Sequence, residues 1–379
     1  MTITARELNR ATLARQLLLR REPSGVAEAV RRLLALQAQQ PASPYLALWN
    51  RIDGFAPADL DAAFADRTLV KATLLRITLH AVHRDDYRMV REAMRPTLYA
   101  SRFGHRFAAA GLTPADAAEL EPGLLEFAGL PRSNGDMTAW LAERVGAEKK
   151  DGAWWGLRSY APLVHVPTGG PWSFEYAPAY VAAAEGRFTG EPAPQEKALQ
   201  ALTLRYLEGF GPASVADVAQ FATVQRARVR TALRALGEAV EELEGPEGTK
   251  VYDVPGGPRP PADTPAPPRL MAMWDSTLLA HHDRSRVIPP GYRRLVTRTN
   301  GDVLPTLLVD GYVAGVWRPV EGGIEATAFH DLPRAAWEGL AEEARSLGAL
   351  LADREPNVYS RYGHWWSKLP EAQVRTLPG

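Results

Sequence analysis

Apolar residues recur at helical spacing over residues 5–21 and 25–38, with Ser24 ahead of the second run as a cap. A third helical pattern covers residues 57–65. The period then changes. Over residues 69–82, Leu75, Ile77, Leu79 and Ala81 alternate with Arg76, Thr78 and His80, which predicts a strand. Three helices followed by a strand is the order of a winged-helix unit, here occupying residues 1–110.

A second unit, residues 111–190, opens on Thr113-Pro114 and continues through helical patterns at 124–127 and 137–145. Its ribbon is predicted over 163–176, with Thr168-Gly169-Gly170-Pro171 as the hairpin turn and Trp172 and Phe174 alternating beyond it. The third unit, residues 191–254, is the clearest. An amphipathic helix over 196–209 stops at Gly211-Pro212, and shorter and longer helices come next over 214–221 and 223–236. Strands at 240–244 and 250–254 then flank a turn at 245–249, as a wing requires.

Seven of the fourteen residues from 255 to 268 are proline, so this segment cannot join a central sheet or helix and reads as a semi-rigid linker. Beyond it, 305–310, 312–319 and 323–329 form a meander with turns at Asp310-Gly311 and Glu321-Gly322. A terminal amphipathic helix covers 332–353. The predicted fold class is α+β: tandem winged-helix units with a β-rich C-terminal module at residues 269–379.

The formal net charge is zero, which disfavours a simple basic protein that coats DNA. Its distribution changes that picture, with +7 over residues 1–110, −5 over 111–200 and −2 over 201–379. A basic first third can present a phosphate-facing surface, although solvated helices also vary in charge without functional cause. The absence of cysteine removes disulfides and thiolate metal sites and suits a reducing cytoplasm. Neither a secretory leader pattern nor an apolar run of about 18 residues is present, so no membrane partner is expected.

The chemistry centres on Leu36-Gln37-Ala38-Gln39-Gln40, read as the end of an amphipathic helix ahead of Pro41. Gln37 and Gln39 would project about 200° apart on an ideal helix, and only a terminating turn brings both to one cleft. Two amides can orient water or stabilise a cation, but neither can act as a conventional general base. If they are catalytic, the substrate must already be activated; solvated or capping glutamines are the ordinary alternative. In the predicted strand, Arg76, Thr78 and His80 share one face, where Arg76 can hold a phosphate and His80 can assist a water or a leaving base. A polar strand face is the alternative there.

Arg226, Arg230 and Arg234 recur every four residues and form one stripe on their helix, facing phosphates or solvent. Gly169 and Gly170 tip the predicted hairpin, which can enter a groove or serve as an ordinary connection. In His281-His282-Asp283-Arg284-Ser285-Arg286, the histidines lack the further donors that a zinc site needs, so no metal is expected; Arg284 and Arg286 can meet a phosphate. Trp154-Trp155 and Trp365-Trp366 can stack bases, though aromatic pairs more often anchor cores. No Walker-type loop or dinucleotide glycine pattern is present.

These motifs, in this order, resemble the AlkZ and YcaQ group of winged-helix bacterial DNA glycosylases over nearly the whole chain. The resemblance runs through Gln37-Ala38-Gln39, Arg76-Ile77-Thr78-Leu79-His80, the Gly-Pro-opened unit at 211–236, residues 274–286 and residues 304–311. It implies tandem winged helices forming a concave surface for double-stranded DNA, with Gln37 and Gln39 as the catalytic pair. Some relatives carry an acidic residue at the second position, so Gln39 points to the AlkZ-like branch. Ala38 is small for its position, and Trp274 stands where phenylalanine is more usual.

The implied activity is monofunctional hydrolysis of the N-glycosidic bond of N7-alkylpurines. Bulky adducts and interstrand crosslinks are included, in base excision repair and self-resistance to a DNA-alkylating natural product. No lysine is evident as a lyase nucleophile, Lys71 being the nearest. The resemblance further implies a cofactor-free monomer associated with the nucleoid in the cytoplasm. A winged-helix DNA-binding regulator without catalysis, using the arginine stripe, is the alternative; a scaffold for protein contacts is a third reading.

Overall fold

The computed structural model describes residues 2–175, 177–184, 192–370 and 373–379. Its helices start where the sequence supplies caps. Thr4 with Glu7, Thr113 with Asp116, Ser133 with Asp136 and Ser214 with Asp217 each form a reciprocal capping box. The first helix, Ala5–Arg15, is shorter than its pattern because Leu17 turns into the left-handed region at φ 55°. The second, Val26–Leu33, has Gly25 rather than Ser24 at its N-cap, with no side-chain cap, and ends at Leu34 with φ 69°.

The next segment departs from the helical reading. Leu36–Gln37 is a strand, β1, because its backbone groups find a partner strand that the local pattern cannot show. The predicted strand over 69–82 is likewise a hairpin of β2 (Leu69–Thr73) and β3 (Leu79–His83). The chain reverses between them with Arg76 and Ile77 at φ 52° and 60°. Together with β4 (Arg132–Ser133), β5 (Leu163–Val166) and β6 (Ala179–Ala182), they form one six-stranded sheet in the order β1-β3-β2-β5-β6-β4. The first two helical units therefore share a sheet.

The return strand of the second unit is β6, not the residues directly after the Gly-Gly turn. Trp172 and Phe174 turn inward instead and are 3% and 6% exposed, since large rings are stabilised more in a core than on a two-stranded wing. Tyr176 lies outside the described residues. One face of the sheet, through Val70, Ala72, Val82, Val164 and Val181, packs with side chains of the helices Arg84–Arg102 and Pro192–Phe210.

The third unit adheres closely to its pattern. The helices Val215–Ala222 and Arg226–Leu236 are separated by Thr223 in the left-handed region, and β7 (Glu241–Glu244) pairs with β8 (Lys250–Asp253) as an antiparallel ribbon. The proline-rich linker is tied down by the first helix: Arg6 Nε donates to Ala262 O at 2.7 Å and Arg10 Nε to Thr264 O at 2.6 Å.

In the C-terminal module, β9 (Arg269–Leu270), β10 (Thr306–Val309), β11 (Tyr312–Val320), β12 (Gly323–Ala328) and β13 (Gln373–Pro378) lie in the order β13-β12-β11-β10-β9. The helix Arg334–Ala352 packs on this sheet. The first helix docks on the β10–β11 turn, where Asn9 Nδ2 donates to Gly311 O at 2.8 Å and a Cβ on Gly311 would lie 2.6 Å from Leu13 Cδ1. Deeper in, Arg51 and Asp275 form a fully buried ion pair at 2.8 Å. Removing either partner of such a pair costs about 3–5 kcal/mol. No helix among the described residues is long and apolar enough to cross a membrane.

Candidate active site

Residues directly opposed in an antiparallel ladder project to the same side of the sheet. Gln37 opposes His80, and His80 opposes Ala72, so these side chains face the helix-covered side. Lys71 opposes Ala81 on one neighbour and His165 on the other, and His165 opposes Tyr180. That second row faces an open cleft of about 410 Å³, lined in part by Gln39, Lys71, Arg158, His165, Phe174 and Tyr180.

The two glutamines are thus divided. Gln37 is 5% exposed, and its Oε1 accepts from Arg76 Nη2. The same nitrogen lies 3.3 Å from His80 Nε2, while His80 Nδ1 lies 3.1 Å from Thr78 O. Donation from Nδ1–H to the Thr78 carbonyl leaves Nε2 as the acceptor facing Arg76. Burial, reinforced by the Arg76 charge, holds the imidazole pKa well below its ordinary value, so His80 is neutral. The Arg76 guanidinium also lies over the Phe221 ring, 5.4 Å from its centroid.

Gln39 is exposed, just beyond β1, on the rim of the cleft. Its Oε1 lies 3.4 Å from Leu79 N, and Ala38 N donates to Leu79 O at 2.8 Å, so the segment stays tied to β3 up to the bend at Gln39. Strand geometry aims Gln37, while Gln39 lies in the bend that follows β1, so the two amides do not share the one face that residues two apart on a continuous strand would. The face expected for Arg76, Thr78 and His80 is also corrected: Arg76 lies in the hairpin turn, and its left-handed backbone brings it back onto His80.

His165 and Tyr180 enter the cleft through pairings between distant segments, which leave no mark in local sequence. Arg158 comes from the helix Lys150–Tyr160, absent from the pattern reading. Burial, with help from the Lys71 and Arg158 charges, pushes the His165 pKa down to about 3. Among the described residues, Glu175 is the sole carboxylate-bearing side chain in the lining, and it is exposed.

The remaining predicted contacts are dispersed. Arg226, Arg230 and Arg234 are all exposed, on one face of their helix. Gly169 and Gly170 sit at an exposed turn with φ 97° and 75°, closed by Thr168 N donating to Ser173 O at 2.9 Å. Arg284 instead spends its guanidinium on the carbonyls of His281 (3.0 Å) and Leu278 (3.1 Å), and Arg286 on that of Pro212 (2.7 Å). The adjacent histidines diverge: His281 is buried against Phe210 O at 3.0 Å, whereas His282 is exposed. No group of three His, Asp or Glu side chains suited to a metal occurs among the described residues. Trp154 and Trp365 donate their indole N–H groups to Asn134 and Asp302, as anchors do.

Residues 30–350 match the family described as DNA glycosylase AlkZ-like. An interstrand DNA cross-link repair glycosylase from Streptomyces sahachiroi is 26% identical over 350 residues, covering 88% of this chain and 92% of that protein. The solved structure of Streptomyces sahachiroi DNA glycosylase AlkZ superposes with a TM-score of 0.78 at 20% identity, covering 94% of this chain and 99% of that one.

Proposed function

The chain belongs to the DNA glycosylase AlkZ-like family, and on that premise we propose that it hydrolyses the N-glycosidic bond of N7-alkylated purines in double-stranded DNA. The observation that carries this reading is the cleft itself. Its rim bears the Gln39 amide, and its lining offers Lys71, Arg158 and a neutral His165 but, among the described residues, no buried carboxylic acid. Among the described lining residues only the exposed Glu175 carries a carboxyl group, so no buried acid is placed to protonate a leaving base. Alkylation at N7 removes that need, because the purine already carries the positive charge that its departure relieves.

As the C1′–N9 bond breaks, the sugar gains oxocarbenium character. The Gln39 carbonyl oxygen stabilises that charge and aligns water for attack at C1′. Gln37 supports the same region from behind the sheet by holding Arg76. The openness of the cleft suits adducts that cannot be flipped into a closed pocket, including one half of an interstrand crosslink. The named activity of the Streptomyces sahachiroi relative supports that extension, and self-resistance to a DNA-alkylating natural product is the setting it suits. DNA is engaged by the stripe of Arg226, Arg230 and Arg234 and by the Gly169-Gly170 turn. A regulator without catalysis is not favoured by the family.

The test is release of N7-methylguanine from alkylated duplex DNA by wild type, Gln37→Ala and Gln39→Ala. Loss of release in Gln39→Ala is expected. Unchanged release in both variants would remove the glutamines from the mechanism, and no release by wild type would remove the substrate.

A further inference from the structure

Glutamine chemistry leaves one group in the cleft without a task. Lys71 is 5% exposed and projects from β2 into the same cleft that Gln39 rims. Buried lysines ordinarily reach a carboxylate or extend to solvent. Lys71 does not reach a carboxylate: its Nζ has no ion-pair partner among the described residues and stands at the cleft wall, 4.3 Å from the centroid of the Phe174 ring. Directly across the ladder lies His165. An amine and an imidazole on adjacent strands, walled by Phe174 and Tyr180, form a set that base hydrolysis does not use.

We propose that Lys71 is the nucleophile of a second activity, a lyase reaction on the abasic sugar that remains after the base has left. The proposal rests on the glycosylase reading only for the origin of its substrate. The abasic sugar equilibrates between a ring hemiacetal and an open aldehyde at C1′. Lys71 Nζ adds to that carbon, the carbinolamine takes a proton from solvent and loses water, and a protonated imine forms. The imine acidifies the C2′ hydrogen, which passes to solvent water in the open cleft. The electron pair moves into a C2′–C3′ double bond as the C3′–O bond breaks and the 3′ phosphate departs on the downstream strand. Water then hydrolyses the imine, which returns the amine, the borrowed proton and an unsaturated aldehyde end.

The surroundings suit the amine for this role. Burial pushes the Lys71 pKa down to about 7, so much of the amine is unprotonated at neutral pH. His165, held neutral by burial, places no second positive charge beside that amine. The sequence offers Lys71 only as the nearest lysine, because its relation to His165 arises only when β2 pairs with β5.

The test uses full-length protein and a duplex carrying one preformed abasic site, with borohydride added to reduce the imine. A covalent protein–DNA adduct is expected, and peptide mapping is expected to place it on Lys71. Lys71→Arg, which keeps the charge but not the nucleophile, is expected to reduce adduct and strand cleavage to background. No adduct with wild type, or an adduct mapped to another residue, overturns the proposal. Because the abasic site is supplied ready-made, that result is independent of base release. N7-methylguanine release by the same preparation shows separately whether the glycosylase reading stands.

Discussion

Arg76, from the turn of the β2–β3 hairpin, donates to the buried carbonyl of Gln37, and the same nitrogen approaches His80 Nε2 at 3.3 Å. This contact holds Gln37 beneath the sheet while Gln39 remains on the rim of the cleft. Two glutamines two positions apart therefore meet different surroundings.

Their substitutions should separate. Gln39→Ala is expected to reduce kcat for base release by about 10²–10³-fold, the loss typical of removing one polar group aimed at a developing charge. Its thermal midpoint should stay near that of wild type. Gln37→Ala strands a buried Arg76 donor, which typically costs about 1–3 kcal/mol. Equal melting temperatures for the two variants would show that the Gln37–Arg76 contact carries no stability.

Salt dependence should distinguish the arginine stripe from the buried Arg76. Each phosphate that a protein neutralises contributes about 0.9 to the slope of log K against log salt. Replacing Arg226, Arg230 and Arg234 together with glutamine is expected to lower that slope by about two to three on duplex DNA. Arg76→Gln should leave the slope unchanged while lowering the melting temperature. A triple variant with the wild-type slope would assign the stripe to solvent.

Acid should destabilise the fold through its buried imidazoles. His165 titrates at about 3 in the native protein, and burial also holds His80 well below its ordinary value. An unfolded histidine titrates near ~6.5, so below that pH the unfolded chain binds protons that the native chain refuses. Native stability is thus fullest above about 6.5 and falls as pH drops toward 3. Lys71 acts in a higher window. Its pKa of about 7 lies below the unfolded value, so its burial penalty is relieved as pH rises from about 7 toward 10.5. Thermal midpoints measured from pH 4 to 7 should rise, and His165→Gln should flatten that rise.

The loop that carries Thr168 and Phe174 into the cleft depends on Asp61, which accepts from Ser173 Oγ at 2.6 Å and Arg354 Nη2 at 2.7 Å. Asp61→Ala is expected to raise KM for alkylated duplex DNA and to lower the melting temperature by a few degrees. Unchanged KM would separate this anchor from substrate binding.

The third unit was legible because its signals are local: Ser214 and Asp217 cap one helix, Arg226–Leu236 keeps helical periodicity, and β7 and β8 are joined by a short turn. The C-terminal meander was readable for the same reason. By itself the sequence determined where helices could start, which segments were apolar, that Gln37 and Gln39 lack acid–base capacity, and that Arg226, Arg230 and Arg234 share a face.

Only the tertiary structure decided that Leu36–Gln37 is a strand, that Arg76 folds back onto Gln37 and His80, and that Lys71 meets His165. Residues 36–37 satisfy both a helical and an alternating pattern, and the choice falls to β3, more than forty residues away, whose backbone groups complete the pairing. The β2–β5 contact spans a still longer stretch of chain. Hydrogen bonds and burial between distant segments select one backbone geometry from several that are locally acceptable, and side-chain direction is set by that selection.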